Sequence, residues 1–578
     1  VIRCGPQGLT PCGAALNLHK RVKHALREHR GALVGALAAA FLVFSPLVGF
    51  RFLADSYQGI NAGNYLQDEF HYLAKGREVL DGNGLGNIIL REGKEWFNTE
   101  QKYAEYLVLP LRWLGLSQKA DIATVFTVYG FVGVFTLVLL IYFFLLQLSR
   151  DKKLALLSAL FIVLAYNLVT QYNFIDYFNI YGRPVYPLFS SLVFFLYLNL
   201  LVKSLKSTKR VYAFGAAAAF GLSFYIYLFC WSFILVLNGI LAALYLLKKE
   251  HGQFRKVLVI SSLGLLVGSL EILILYFYAQ SDMGRQIVAF TGGAFSREFT
   301  LIKISWLALA FFLFYYLPRN SSDENWPLLL ALILAGIVSI NQQLITGRQF
   351  QSFHYFWNFI IPTISAVGLY MVWSVVVSPA LRRILFYALL VLIFVNSAAQ
   401  SYFGVHATLP LKNYAQNYRP AIDYLNRDKN PSVILASDPF YEMLFIAYTR
   451  HDLFWHGTAL AFNTPGSAIR DAFVVYRALN TSLRAEPLDY AGSSAMPAGQ
   501  YRELYVSFKH YVVTILGKDE DAFYRALATP EDVTDILKRH RVKYIVWDKN
   551  RNPEWDLSIL RGLREIMAYR HISLYTIQ

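Results

Sequence analysis

Three stretches of the 578-residue chain group side chains that can move protons or hold anions, each at the edge of an apolar run. The first is QDEFHYLAKGREVLDG, residues 67–82, in which Phe70, Leu73, Ala74 and Arg77 fall on adjoining helical turns and Asp68 and Glu69 stand at the start. Acids in a first turn are favoured by the helix dipole, which is one reading of the pair. The other makes Asp68 a general base or metal ligand and Glu69 a second catalytic acid, with Tyr72 as a substrate contact. The second stretch is QYNFIDYFNIYGRPVYP, residues 171–187, with Asp176 and Arg183. Asp176 reads as a loop carboxylate capped by Arg183 or as a ligand; the planar fork of Arg183 suits phosphate oxygens. The third is NQQLITGRQFQSFHYF, residues 341–356, where Gln342, Gln343, Arg348 and His354 stand among aromatics. Amides with aromatics offer hydrogen bonds to hydroxyls plus a stacking face. Arg348 is a second phosphate anchor, and His354 a ligand or acid. Such polar density is costly at membrane depth unless it lines a cavity.

The rest of the chain must place these groups at one surface. Residues AVILMFWYC make up 56% and charged residues 16%, with mean hydropathy +0.38. Soluble domains carry about 25% charged residues, so a soluble enzyme, a disordered scaffold and a fibre are excluded. Three cysteines (Cys4, Cys12 and Cys230) make no disulfide framework, and no Cys/His spacing reads as a zinc site. Runs long enough for a spanning helix, about 20 residues, lie at 31–53, 120–148, 154–170, 187–202, 211–247, 257–279, 301–317, 327–345, 355–377 and 384–401. The stretch 211–247 lies between two basic loops and is read as two spans turning near Tyr227–Trp231, which makes eleven. The gaps expected on the inner side hold 20 Lys/Arg against 5 Asp/Glu, whereas 54–119 holds 7 against 9. The positive-inside rule then puts residues 1–30 in the cytoplasm as a basic tail, in an inner-membrane protein, and the excess charge of +16 needs no nucleic acid.

The tail has no cleavable signal pattern, and residues 1–15 read as an unstructured upstream extension. Residues 31–402 form the expected transmembrane domain. Residues 403–578 read as an extracytoplasmic α/β domain, with strands at SVILASD (432–438), KYIVWD (543–548) and HISLYTI, and helices at 439–449, 467–480, 501–515 and 530–540. Thr529-Pro530 is a helix-start pattern. Residues 280–300, with Arg285, Arg297 and Glu298, read as a mobile loop, Glu271 as structural, and His451 and His456 as surface groups of the last domain.

Asp68, Glu69, Tyr72, Arg77, Glu78 and Leu80, as D-E-x-x-Y-x-x-x-x-R-E-x-L, resemble the first outer loop of GT-C glycosyltransferases. The likeness is to the branch of aminoarabinose transferases and protein O-mannosyltransferases. That resemblance implies a polytopic α-helical GT-C-like fold and transfer of a sugar from a polyprenyl-phosphate donor at the outer membrane face. The acceptor would be a lipid, a glycan or a protein, with membrane lipids around the chain. It maps the family's essential acid onto Asp68 and, from oligosaccharyltransferase-like members, a metal-ligating acid onto Asp176.

On this reading Arg183 or Arg348 meets the donor phosphate, and Asp68 orients or deprotonates the acceptor hydroxyl in a single inverting displacement. A divalent cation, Mg or Mn, bridging Asp68 and Asp176 would stabilise the leaving phosphate; without one the arginines must. The proline-rich stretch that follows the motif in the aminoarabinose branch is absent, the chain reading EWFNTEQKYAEYLVLPL instead, which leaves the acceptor open. The main rival is a flippase or transporter of lipid-linked sugars. It predicts inverted repeats and carboxylates inside spans, and only Glu271 fits.

Overall fold

The computed structural model describes residues 23–24, 26–54, 57–61, 66–94, 104–116, 121–170, 178–281, 283–285, 287, 294–349, 351–376, 378–486, 500–528 and 531–578. Apolar runs in the sequence become helices because a spanning backbone must satisfy its own hydrogen bonds. These are α1 (Arg30–Leu53), α2 (Leu66–Asp81), α3 (Ile122–Ser149), α4 (Lys152–Leu164), α5 (Leu188–Lys206), α6 (Arg210–Ile226), α7 (Leu228–Leu247) and α8 (His251–Gln280). They continue with α9 (Lys303–Phe311), α10 (Trp326–Ile340), α11 (Ser352–Val375) and α12 (Pro379–Ala415). Among the described residues seven of these (α1, α3, α5, α7, α8, α11 and α12) are long and apolar enough to cross a bilayer. The chain is therefore a multi-pass membrane protein. The count of eleven is not reached on that criterion, because the runs at 154–170, 211–226, 301–317 and 327–345 hold shorter helical pieces. The 211–247 stretch breaks at the expected place, with extended Tyr227 ending α6 and preceding α7.

Caps and small residues set the packing. Asp151 accepts from Lys153 N at 2.8 Å and Leu154 N at 3.2 Å to start α4. Its other oxygen takes the Trp373 indole at 2.9 Å, fixing α11 beside it. In α8, a Cβ at Gly264 or Gly268 would lie 2.2 Å from Phe220 or 2.4 Å from Phe224, so α6 and α8 approach where only glycine fits. Helix α12 has 37 residues, about 55 Å at 1.5 Å per residue. That exceeds a hydrocarbon core of about 30 Å, and residue 402 falls inside this helix.

Beyond α12 lies a five-stranded mixed sheet, in the order β4 (Asp452–Leu453), β3 (Val433–Ala436), β5 (Val542–Asp548), β7 (Ile572–Ile577), β6 (Leu563–Tyr569). Strands β4, β3 and β5 are parallel, and β5, β7 and β6 antiparallel. The parallel core strand β3 is buried along its whole length, as a strand covered on both faces must be. The helix expected from Thr529-Pro530 spans Val533–Arg539 instead, because Asp532 caps it, accepting from Thr534 N and Asp535 N. A second correction concerns His451 and His456, which are 2% and 6% exposed rather than surface groups. His451 Nδ1 accepts from Ser432 N at 3.1 Å, and His456 Nδ1 accepts from Thr458 N at the same distance, so each ring sits neutral among local partners.

The segment after α1 docks on both the α12 stalk and the sheet domain. The Gln416 side chain accepts from Gln58 N at 3.0 Å and Ile60 N at 3.2 Å. Leu453 N donates to Ile89 O at 2.8 Å, and Asn87 Nδ2 to Asn463 O at 3.1 Å. Gly93, at φ +81°, lies where a Cβ would stand 2.2 Å from Asn463 O.

Candidate active site

Helix α2 carries the acidic motif and is held rigidly at one end of the bundle. Phe70 and Ala74 are fully buried, and a Cβ on Gly76 would meet the Phe126 ring of α3 at 2.5 Å, so the two helices touch. Asp68 is the third residue of α2, in its first turn. The side chains of Asp68 and Asp176 lie outside the described residues. Glu69 is buried, within electrostatic reach of the buried Lys412 of α12.

Tyr72 opens a row of rings that joins the expected segments. The Arg183 guanidinium lies 5.6 Å over the Tyr72 ring, and Tyr186 stands 5.7 Å from it. Tyr186 stacks on Tyr227 at 5.0 Å and donates its hydroxyl to Ile226 O at 2.8 Å. The Tyr227 hydroxyl in turn bonds His354 Nδ1, and His354 stacks on Phe229 at 4.8 Å. Tyr72, Arg183 and His354, from three segments far apart in sequence, thus share one aromatic row. Tyr186 and Tyr227 complete it; the P-V-Y-P and Y-I-Y patterns were its only trace in the sequence. A cation lying over a ring face is favoured by roughly 1 kcal/mol, and the arrangement leaves Arg183 suited to a phosphate at the edge of the row.

Gln342, Gln343 and Arg348 belong to a neighbouring turn rather than to this row. Gln342 Nε2 donates to Arg348 O at 2.7 Å, and Gln343 Nε2 donates to Glu298 O at 2.9 Å and Thr300 Oγ1 at 3.2 Å. Gly347, at φ +70°, turns the chain so that β2 (Arg348–Gln349) pairs with β1 (Ala294–Phe295). The amide donors thus hold residues 298–300 and the turn, and Arg348 is exposed. Among the described residues no three His, Cys, Asp or Glu side chains could hold a metal ion.

The adjoining face of α2 meets the sheet domain, His71 standing in ring contact with Tyr72 at 5.9 Å. The His71 ring lies 5.3 Å from Phe462, and Lys75 Nζ, also buried, is 3.9 Å from Glu105 Oε1. Behind them His456 Nε2 faces Glu442 Oε1 at 3.9 Å. Burial, then the charge of His71, brings His456 down to about 4, and burial raises the Glu442 carboxyl well above its ordinary range. This layer was missed in the sequence, since His456 stands 385 residues from His71 with no periodic signal joining them.

No protein-family model matches the chain, and no curated protein matches it in sequence. Solved structures do share its fold. ArnT from Cupriavidus metallidurans, in a crystal structure bound to undecaprenyl phosphate, is 13% identical, with TM-score 0.51 over 94% of this chain and 97% of that one. The oligosaccharyltransferase of Archaeoglobus fulgidus, tethered to an acceptor peptide containing the NVT sequon, is 12% identical, with TM-score 0.50 over 94% of this chain and 74% of that one. Both neighbours are GT-C superfamily members, so the chain has the GT-C-like fold that its acidic motif implied.

Proposed function

We propose that this chain is a membrane glycosyltransferase that takes a sugar from a polyprenyl-phosphate donor and passes it to an acceptor hydroxyl at the outer membrane face. The observation that carries the reading is the row Arg183, Tyr72, Tyr186, Tyr227 and His354 beside the acidic start of α2, at one end of a bundle with a GT-C-like fold. The neighbour of similar length binds undecaprenyl phosphate, and a ligand with an anionic head and an apolar tail suits an arginine beside an aromatic row at a bundle's end.

In the proposed step the Asp68 carboxylate takes the acceptor O–H proton. The acceptor oxygen bonds to the anomeric carbon as the bond from that carbon to the phosphate oxygen breaks. Polyprenyl phosphate leaves with the electron pair, and the centre inverts. Arg183 holds the phosphate as its charge grows. Tyr72 gives the sugar a stacking face, and Glu69, set against Lys412, keeps the first turn of α2 in place. A cation at Asp68 and Asp176 would supply further charge neutralisation.

The test is transfer from polyprenyl-phosphate sugars in reconstituted membranes, wild type against Asp68→Asn, with and without EDTA. Loss of a base is worth about 10²–10⁴-fold. A fall of that size with donor binding kept supports the reading, and the EDTA arm reports on a metal. Unchanged turnover removes Asp68 from catalysis. Lipid movement without transfer from any donor would replace the enzyme with a flippase.

A further inference from the structure

At the other end of α5 from Tyr186 the chain forms a cavity of about 370 Å³ lined by Gln147, Lys203, Lys206, Ser207, Lys209 and Tyr212. The 19 residues of α5 put it about 28 Å from the aromatic row, so it is separate from the proposed active site. Among the described residues three ammonium groups line it and no carboxylate does. Lysines near a helix C-terminus ordinarily serve the last carbonyls, but here Lys256 does that, with its Nζ 3.0 Å from Ser204 O, 3.3 Å from Leu205 O and 3.1 Å from Ser207 O. Lys206 Nζ donates to Gln147 O at 2.8 Å, and Lys203 lies 5.7 Å over the Tyr212 ring. Lys206 is also within reach of Asp323 and Glu324, of which Asp323 is occupied by the hydroxyls of Tyr316 and Tyr370. The first turn of α6 borders the cavity at Tyr212, adding the positive end of a helix dipole.

A second feature indicates what kind of anion fits. Val211, Phe214 and Leu222 of α6 are exposed and recur at helical spacing down from the cavity, and Leu196 of α5, seven residues before Lys203, is exposed as well. An exposed apolar face therefore starts at Val211, next to the cavity residue Tyr212, and runs along the adjoining side of α6. We propose that this cavity is a headgroup site for an anionic glycerophospholipid, its phosphate among Lys203, Lys206 and Lys209, and an acyl chain along Val211, Phe214 and Leu222. A free phosphate would use the lysines and leave the apolar face unused.

The test uses the full chain in nanodiscs, where the thermal midpoint and lipid retention in native mass spectra are read with phosphatidylglycerol, with phosphatidylcholine, or with phosphatidylcholine plus inorganic phosphate. Phosphatidylglycerol alone should raise the midpoint and stay bound. The triple change Lys203→Gln, Lys206→Gln and Lys209→Gln should weaken its retention on the order of 100-fold, at about 1 kcal/mol per basic group, and lower the midpoint in phosphatidylcholine only by what the Lys206 bond to Gln147 O and the Lys203 contact with Tyr212 contribute. The matching triple change to Arg should restore retention, and Lys203→Gln alone gives a milder reading if the triple variant does not fold. Equal retention by the Gln variants, or the same stabilisation from inorganic phosphate, overturns the assignment.

Discussion

Lys94 Nζ stands 2.5 Å from Asp452 Oδ1 and joins the segment after α1 to the edge strand of the sheet domain. The same ammonium is 2.7 Å from Glu78 Oε1, so one cation serves two buried acids. Burial pushes Glu78 up to about 7 and raises Asp452, and although burial opposes it the two carboxylates hold Lys94 above its ordinary value. Removing one partner of a buried ion pair typically costs about 3–5 kcal/mol. Lys94→Met should therefore lower the thermal midpoint clearly at pH 7.5, and by less at pH 5.5, where Glu78 takes up a proton; Asp452 keeps Arg91 Nη1 at 3.8 Å. An unchanged midpoint at both pH values would show that the cation contributes nothing to this contact.

A second contact across the same boundary depends on pH. The His540 ring nitrogens lie 2.8 Å from Asp471 Oδ2 and 3.2 Å from Glu92 Oε1. Burial alone would lower this imidazole, but the hydrogen bonds and charges of Asp471 and Glu92 outweigh it and raise it to about 9. A raised histidine stabilises the fold fully below its unfolded value of about 6.5. That contribution is lost as pH rises through about 9. The wild type should lose roughly 1–3 kcal/mol between pH 6.5 and 9.5, and His540→Gln should flatten that part of the curve. A variant whose stability falls with the same slope would place the pH dependence elsewhere.

How far the sequence spoke depends on the range of the signal. Apolar runs are local and long, so α1, α3, α5 and α8 and the break at Tyr227 were readable from hydropathy, as were β3, β5 and β7 from short apolar runs between turns. Contacts of the segment after α1 were not. Asn87 and Asn463 are separated by 376 residues, and polar pairs carry no periodicity to mark such a meeting. His456 read as a surface group because histidine is usually partly exposed; its burial depends on a neutral ring fed by Thr458 N and set against Glu442. Gln342 and Gln343 read as substrate contacts because amides among aromatics look alike whether they line a cavity or tie a turn, and in the fold Gln342 Nε2 donates to Arg348 O and Gln343 Nε2 to Glu298 O. Only Gly347 hinted at the turn. At residue 530, Pro and Asp532 are both start signals, and the side chain that could accept two amide hydrogens fixed the boundary.

Arg183 gives a kinetic prediction that follows from its place over Tyr72. A hydrogen bond to a charged group contributes about 1.5–3 kcal/mol, roughly 10- to 150-fold in an equilibrium constant. Arg183→Ala should raise the donor KM by that order, and Arg183→Lys should recover only part, because an ammonium lacks the planar fork. Tyr72→Leu should raise KM less. If donor KM is unchanged in Arg183→Ala while kcat falls, the arginine acts on the leaving phosphate alone and does not anchor the donor.

The bond from Tyr227 to His354 separates ring stacking from hydrogen bonding at the far end of the row. Tyr227→Phe retains the stack on Tyr186 and removes the hydroxyl that fixes His354 Nδ1. A lost neutral hydrogen bond costs about 1 kcal/mol, so the thermal midpoint should fall by only a few degrees. Transfer should fall about tenfold in kcat with donor KM unchanged, since the imidazole loses the hydroxyl bonded to its Nδ1. His354→Phe, which keeps the stack on Phe229 and has no nitrogen to position, should show the same loss in kcat, and the double variant should lose no more than either alone. Additive losses in the double variant would mean that Tyr227 acts independently of His354.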